Sequence, residues 1–497
     1  MKKLLTVLLV AAMALSLLPG MTLAEGKTLT IAQTLDTSTM DPQKQGAMSP
    51  MNVLINMFDT LVFRDAAGNL IPSLATEWEA IDDVTWQFKL REGVTFHDGD
   101  VFNAEDAKFS LERLIDPDTA SPIVELAALD HVDIVDEYTI NLVLKHPDPI
   151  IPNKLVMFGG VMLSKEYTEA HEADYLALNP NGTGPYKFVS WHKDSSIVMA
   201  GNENYWRGAP AFDELIFRII PNQADMLAAL RTGEIDMTNS IPWDLAKSVE
   251  NDPDITITIA ESIRVNYVPI YQDIEPFGDK LVRQAVNYAV DKQGILDALY
   301  GGNGRVLGTF VPSQNFGFDP SIEPYPYDPQ KAKELLAEAG YPDGFEATFN
   351  AVSTSLMEIQ AIAGFLEEVG IKIDMNVIDS STQSSMRAAR TNGPLYFESN
   401  TGWTMDAMSN YQSWAKSDRR YWLGGTPELD AVVDIEETSV DPDVRTAAFK
   451  EGEAIMHEEA LHIFLWQLSN FYAVRNNVTY TPNVIGLLWL YDVQPAE

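Results

Sequence analysis

A mixed α/β fold is predicted by three features of the 497-residue chain. Hydrophobic residues make up 46% and charged residues 21%, an ordinary globular composition with ample material for a core. Segments of period 2 alternate with segments of helical period along the whole chain, the mark of interleaved strands and helices. At about 150 residues per domain, the length corresponds to roughly three domains. Gly 30 and Pro 28 exclude a collagen-like or low-complexity architecture, and no internal repeat is present.

The elements follow in order. Residues 27–33 read as a first buried strand ending in a polar loop at 36–42. Val84, Trp86, Phe88 and Leu90 alternate with Thr85, Gln87 and Lys89 in a half-buried strand. Glu92-Gly93 then turns, and Val94-Thr95-Phe96 is expected to return as a hairpin. Asn103 caps a helix with Asp106 three residues on. Asn181-Gly182-Thr183-Gly184-Pro185 is dense turn punctuation before a strand at 186–190. Residues 223–230 and 280–290 read as amphipathic helices. Asp328 caps Pro329 and a helix that stops at Gly340. A helix at 358–369, closed by Gly370, leads to a strand at 371–378. A further helix lies near 444–459.

Charge and cysteine content narrow the function. Lys+Arg 34 against Asp+Glu 72 gives a net charge of −38, which repels phosphate backbones and anionic headgroups, so no nucleic-acid partner is expected. Cysteine is absent, excluding disulfides, thiolate metal sites, cysteine nucleophiles and thioether lipid anchors.

The amino terminus reads as an export signal spanning residues 1–24. Lys2 and Lys3 form its positive end, residues 4–18 its apolar stretch, and Thr22-Leu23-Ala24 a cleavage site after Ala24. The apolar run falls short of the roughly 20 residues that span a bilayer. A periplasmic protein that is not membrane-embedded is therefore expected.

Catalytic and metal motifs fail. His457 and His462 flank Glu458-Glu459, but a zinc-protease helix needs histidines four apart; at five apart they diverge by about 140°. The plainer reading is a solvated helix end running into an apolar strand. Gly302, Gly304 and Gly308 follow a helix rather than a strand and lack dinucleotide spacing. No phosphate loop or nucleophile elbow occurs. No catalytic residue, metal ligand or cofactor is assigned, and the chain is not expected to be an enzyme.

Between Trp86 and Asp106 the pattern becomes specific. Trp86-x-Phe88-x-Leu90-Arg91-x-Gly93-Val94-x-Phe96-His97-Asp98-Gly99, then Ala104-x-Asp106, resembles the family 5 extracellular solute-binding proteins of ABC importers, which bind dipeptides, oligopeptides or nickel. Gly182-Thr183-Gly184-Pro185-Tyr186, Asn204-Tyr205-Trp206-Arg207-Gly208, Gly233-Glu234-Ile235-Asp236 and Arg283-Gln284-Ala285-Val286-Asn287-Tyr288-Ala289-Val290-Asp291-Lys292 agree in order. Residue by residue, these motifs read as core, turn and packed helix. They identify a fold and not a ligand site.

The resemblance implies a two-lobed, type II periplasmic-binding-protein-like fold of the large three-subdomain variety, with a hinge. Residues 25–62, 185–265 and 475–497 would form the main subdomain of lobe 1, residues 63–184 its inserted subdomain, and residues 266–474 lobe 2. The chain would cross near 262–270 and return near 472–476. Ligand would be buried by hinge closure, and permease subunits of the transporter would read the closed shape. A monomer is expected.

The segment Asn400-Thr401-Gly402-Trp403-Thr404-Met405-Asp406 resembles the family's Gly-Trp-x-x-Asp stretch. Carried over, Asp406 anchors a peptide's α-ammonium, while Thr401, Gly402, Trp403 and Thr404 line the cleft. Two departures argue against a strict dipeptide. Ala407-Met408-Ser409-Asn410 replaces the usual Gly-Asp-Pro, and no Lys or Arg lies between Lys333 and Lys372, where dipeptide binders place an arginine for the ligand carboxylate. Arg387 or Arg390 could substitute, although both read as surface helix positions. Oligopeptide capture is the leading expectation. An oligosaccharide stacked on Trp403, Trp414 or Trp422 is the alternative, with nickel or haem behind it because no histidine is near the segment. A secreted hydrolase is the remaining alternative from another class.

Overall fold

The computed structural model describes residues 26–417, 419 and 424–496. The export signal and Trp422 lie outside the described residues. Thr28–Gln33 pairs in parallel with Glu214–Ile219 on one side and Met237–Thr238 on the other, and its Leu29, Ile31 and Ala32 are fully buried. It sits inside a nine-stranded sheet that continues through Ser196–Gly201 to Tyr186–His192 at one edge. At the other edge, Met237–Thr238 leads to His462–Arg475, then Ile255–Pro269, then Glu398–Thr401. Gly304–Val306 also pairs with His462–Arg475.

Ile255–Pro269 and His462–Arg475 are the longest strands, with 15 and 14 residues, and they pair antiparallel from Ile255 opposite Arg475 to Pro269 opposite His462. Fifteen residues at about 3.4 Å each extend about 50 Å, enough to join separate cores. Ile255 and Phe471 pack into a cluster with Met226 and Leu230; Ile263 and Tyr472 pack into one with Leu29, Phe88 and Leu488. Beyond a register shift between Glu261 and Val265, the same strands enter two other cores. Val265 and Phe464 join Phe310 and Tyr411, while Val268 and Trp466 join Phe349 and Ile362. The outward crossing therefore falls within the expected 262–270. The return lies between Leu468 and Phe471, not at 472–476, because Tyr472 and Val474 already pack in the first lobe.

The aromatic strand Thr85–Leu90 differs from expectation. Its hairpin partner lies upstream, at Ala75–Asp82, across a tight turn in which the Asp82 carboxylate accepts the Val84 N–H at 2.9 Å. Ala75–Asp82 exposes most of its length and carries Glu77, Glu79 and Asp82, so it has little apolar alternation to reveal it. Residues 94–102 instead fold on themselves, with Phe102 N–H bonded to Val94 O at 3.0 Å. The Asn103 capping box to Asp106 forms as expected.

The motif residues converge on packing roles. Buried Asp59 accepts hydrogen bonds from Thr183 Oγ1 (2.9 Å), Tyr205 Oη (2.8 Å) and Trp206 Nε1 (2.9 Å). Burial pushes its carboxyl pKa up, and those three donors oppose the shift. Gly184 must lack a side chain there, since a Cβ would lie 2.6 Å from the Met57 carbonyl carbon. In the other lobe, Arg283 donates to the Phe277 and Gly278 carbonyls at 3.0 and 2.9 Å, and Asn287 Nδ2 donates to His462 O at 2.8 Å. The helix Lys280–Ala289 is thereby stitched to the return strand.

The His457–His462 stretch is, as expected, a helix end with exposed Glu458 running into a buried strand, but its two histidines face inward. His457 stacks on Tyr325 at 4.3 Å, and the fully buried His462 packs against Tyr267 at 4.8 Å. Burial pulls the His462 pKa down to about 3.

Asp59→Ala should lower the free energy of unfolding by on the order of 3 kcal/mol, because three donors lose their buried acceptor. Urea denaturation followed by circular dichroism measures this, and an unchanged midpoint would contradict the assigned role.

Candidate functional site

Glu398–Thr401 forms the outer edge of the large sheet, with Arg264 opposite Thr401 and Tyr267 opposite Glu398. No described strand pairs with its outer side, and its residues line a cavity of about 730 Å³ between the lobes. Glu398, Ser399, Asn400 and Thr401 line one wall, continued by Trp403 and Thr404. Phe158, Lys154, Asp148 and Glu125, from the region inserted before Tyr186–His192, line the other.

The chain turns sharply after the strand. Met405 adopts a left-handed φ of 54° and donates its N–H to Gly402 O at 2.7 Å. The turn carries Trp403 and Thr404 to the opposite lobe. Trp403 meets Phe158 edge to face at 5.8 Å, and Thr404 O accepts hydrogen bonds from Asn153 Nδ2 (2.8 Å) and from Arg64. Gly402 does not line the cavity. It is packed so tightly that a Cβ would lie 2.3 Å from Asn315 Nδ2.

Asp406 is not an open carboxylate in the cleft. It is buried, and Arg445, from the helix Pro442–Glu458, binds both its oxygens at 2.9 and 2.7 Å. The Met408 N–H adds a third bond at 3.0 Å. An ammonium group would have to displace a bidentate guanidinium held at a buried site. The ammonium-anchor expectation is corrected accordingly: Asp406 fixes the turn from behind.

The other expected residues divide. Arg387 reaches the cavity but is ion-paired to Glu398 at 2.7 Å. Arg390 stands at the end of the helix Ser380–Ala389 with φ 58° and lines no part of the cavity. Trp414 is largely buried, edge-on to Tyr267 at 5.9 Å, and also lines the cavity. Sequence reading missed Arg64, Asn153 and Arg445, which lie far along the chain and carry no local pattern. It also missed His146, which lines the cavity despite being remote from the Trp403 segment. Among the described residues, no group of three or more His, Cys, Asp or Glu is arranged to hold a metal ion. No described helix is long and apolar enough to cross a membrane.

Charges in the cavity are largely paired, Lys154 with Asp148 and Arg387 with Glu398. Glu125 forms no ion pair among the described residues. Its carboxylate accepts the Val124 N–H at 2.9 Å, and burial raises its pKa.

Comparison with known proteins decides the family. The profile described as "Bacterial extracellular solute-binding proteins, family 5 Middle" matches residues 69–420. The chain belongs to this family. The binding protein is 27% identical over 444 residues to the glutathione-binding protein GsiB of Pectobacterium atrosepticum, covering 86% of each chain. It is 36% identical over 314 residues to heme-binding protein A of Haemophilus influenzae, covering 58% of this chain and 57% of that one. Among solved structures, the periplasmic binding protein DppA of Helicobacter pylori, in complex with peptide STSA, superposes with a TM-score of 0.81 at 26% identity, covering 95% of this chain and 98% of that one. The binding protein thus has the type II periplasmic binding fold, and its family consists of transporter-associated solute-binding proteins, not enzymes.

Two outcomes follow from the buried charges. Asp406→Asn should cost about 3–5 kcal/mol, because Arg445 loses its buried counter-ion; a melting temperature equal to wild type would refute this. Burial also pushes the Glu453 carboxyl, bonded to Thr309 Oγ1 and Asp319 N–H, up to about 8 from 4.5. With the folded pKa above the unfolded one, its contribution is full below 4.5 and lost as pH rises through 8. Glu453→Gln has no such proton to lose. Its melting temperature should therefore gain on wild type as pH rises from about 4.5 to about 8, and a constant difference would exclude the linkage. Buried Lys292, lowered to about 7, acts in the opposite sense in both proteins and cancels.

Proposed function

We propose that the protein is the exported, periplasmic ligand-capturing component of an ABC importer, that its ligand is a short peptide, and that it delivers this ligand to a membrane permease. The observation that carries this reading is the free edge of Glu398–Thr401 against the interlobe cavity. An unpaired strand edge offers main-chain donors and acceptors to an extended peptide, giving affinity without demanding particular side chains. The cavity of about 730 Å³ lies within the range of small-ligand sites. The peptide-bound DppA relative supports the same class.

In this reading Thr401, Trp403 and Thr404 contact the ligand, while Gly402 and Asp406 hold the turn that presents them. Glu125 receives the peptide's amino end, since it is the cavity carboxylate that makes no ion pair among the described residues; Lys154 acts on it only at longer range and is itself bonded to Asp148. A ligand touching both walls favours the closed arrangement by its differential affinity alone. No bond is made or broken.

A panel of tripeptides, oligosaccharides, nickel complexes and haem, screened by thermal shift, tests the class. Peptides should raise the melting temperature, with about 2.7 kcal/mol of stabilisation at a hundredfold excess over Kd. Glu125→Gln should weaken free-amine peptides while sparing N-acetylated ones. A shift from sugars or haem with none from peptides would overturn the reading.

A further inference from the structure

A second cavity, of about 210 Å³, adjoins the first, and Met48 and Thr401 line both. It sits at the carboxyl ends of two parallel strands, where Gln33 and Thr34 follow Thr28–Gln33, and Asn239 and Ser240 follow Met237–Thr238. Crevices at such strand ends are the usual ligand sites of open α/β sheets.

Arg264 lines this chamber, exposed, on the hinge strand directly opposite Thr401. Its guanidinium makes no ion pair and no hydrogen bond among the described residues, although the Tyr300 phenol lies within electrostatic reach; its backbone N–H donates to Ser262 Oγ at 3.0 Å. That is unusual in a chain with 72 acidic and 34 basic residues. Other cations around the cleft are engaged: Arg387 on Glu398, Lys154 on Asp148, Arg419 on Glu437, Arg445 on Asp406 and Arg64 on the Gly68 and Thr404 carbonyls. Gln33, 1% exposed in the same wall, keeps Oε1 without a hydrogen-bond partner. The chamber thus offers a five-donor cation beside an unused acceptor, the pairing that a carboxylate next to an amide N–H would fill.

We propose that Arg264 binds a carboxylate of the ligand in this chamber. The inference deepens the peptide reading: a chain lying along Glu398–Thr401 would pass Thr401 and place its carboxyl end against Arg264. This supplies the anion partner that the stretch between Lys333 and Lys372 lacks.

The mature protein, Arg264→Gln and Arg264→Lys would each be incubated with an equimolar mixture of free-acid tripeptides and with the matching carboxamides, and retained ligand measured by mass spectrometry after ultrafiltration. A parallel arm uses non-peptide carboxylic acids and their amides. Wild type should retain acids at least about tenfold over amides, Arg264→Gln should lose that preference, and Arg264→Lys should keep part of it. Melting temperatures without ligand should agree closely, since the substitutions break no ion pair and no side-chain hydrogen bond among the described residues. If peptides are retained without acid preference, or Arg264→Gln keeps the preference, the Arg264 assignment is wrong and the peptide reading stands. If only non-peptide acids are retained and Arg264→Gln abolishes this, the peptide reading fails and Arg264 stands. Retention of neither class, or equal retention by all three proteins, overturns the Arg264 assignment.

Discussion

The antiparallel pairing of Ile255–Pro269 with His462–Arg475 is the constraint on which the rest of the molecule depends. Both strands contribute side chains to all four hydrophobic clusters, so the two lobes share one hydrogen-bonded ribbon and not merely two linkers. The register shifts near Glu261–Val265 interrupt the ladder where the ribbon passes from one set of cores to the other. A ladder broken at that point bends more readily than the regular pairing on either side. The same ribbon carries Glu398–Thr401 on its flank, so the cavity wall is hydrogen-bonded directly to the hinge.

Much of the fold was legible because its signals are local. Capping residues Asn103 and Asp328 and the terminators Gly340 and Gly370 act within a few positions, and their helices begin and end where those residues stand. The partner of Thr85–Leu90 was not legible, because Ala75–Asp82 is an exposed acidic strand whose pairing is set by a neighbour and not by its own alternation. His462 failed for a related reason: a polar residue gives no warning that tertiary packing will enclose it completely.

The site was legible in outline only. Thr401, Trp403 and Thr404 do line the interlobe cavity, but the role of Asp406 depends on Arg445, 39 residues away on another element. Nothing in the spacing links the two. The carboxylate that the motif singles out serves the architecture, and the cleft's electrostatics come from scattered residues that the topology assembles. A family motif therefore located the wall without revealing which charges face inward.

The hydrogen bonds from Arg64 and Asn153 to Thr404 O cross the crevice. They join one jaw to the other at a backbone atom, so side-chain variation at position 404 leaves them intact. Apparent affinity scales with the fraction of molecules already in the competent shape. Weakening this clasp would therefore act on every ligand alike, leaving unchanged the order in which ligands are preferred.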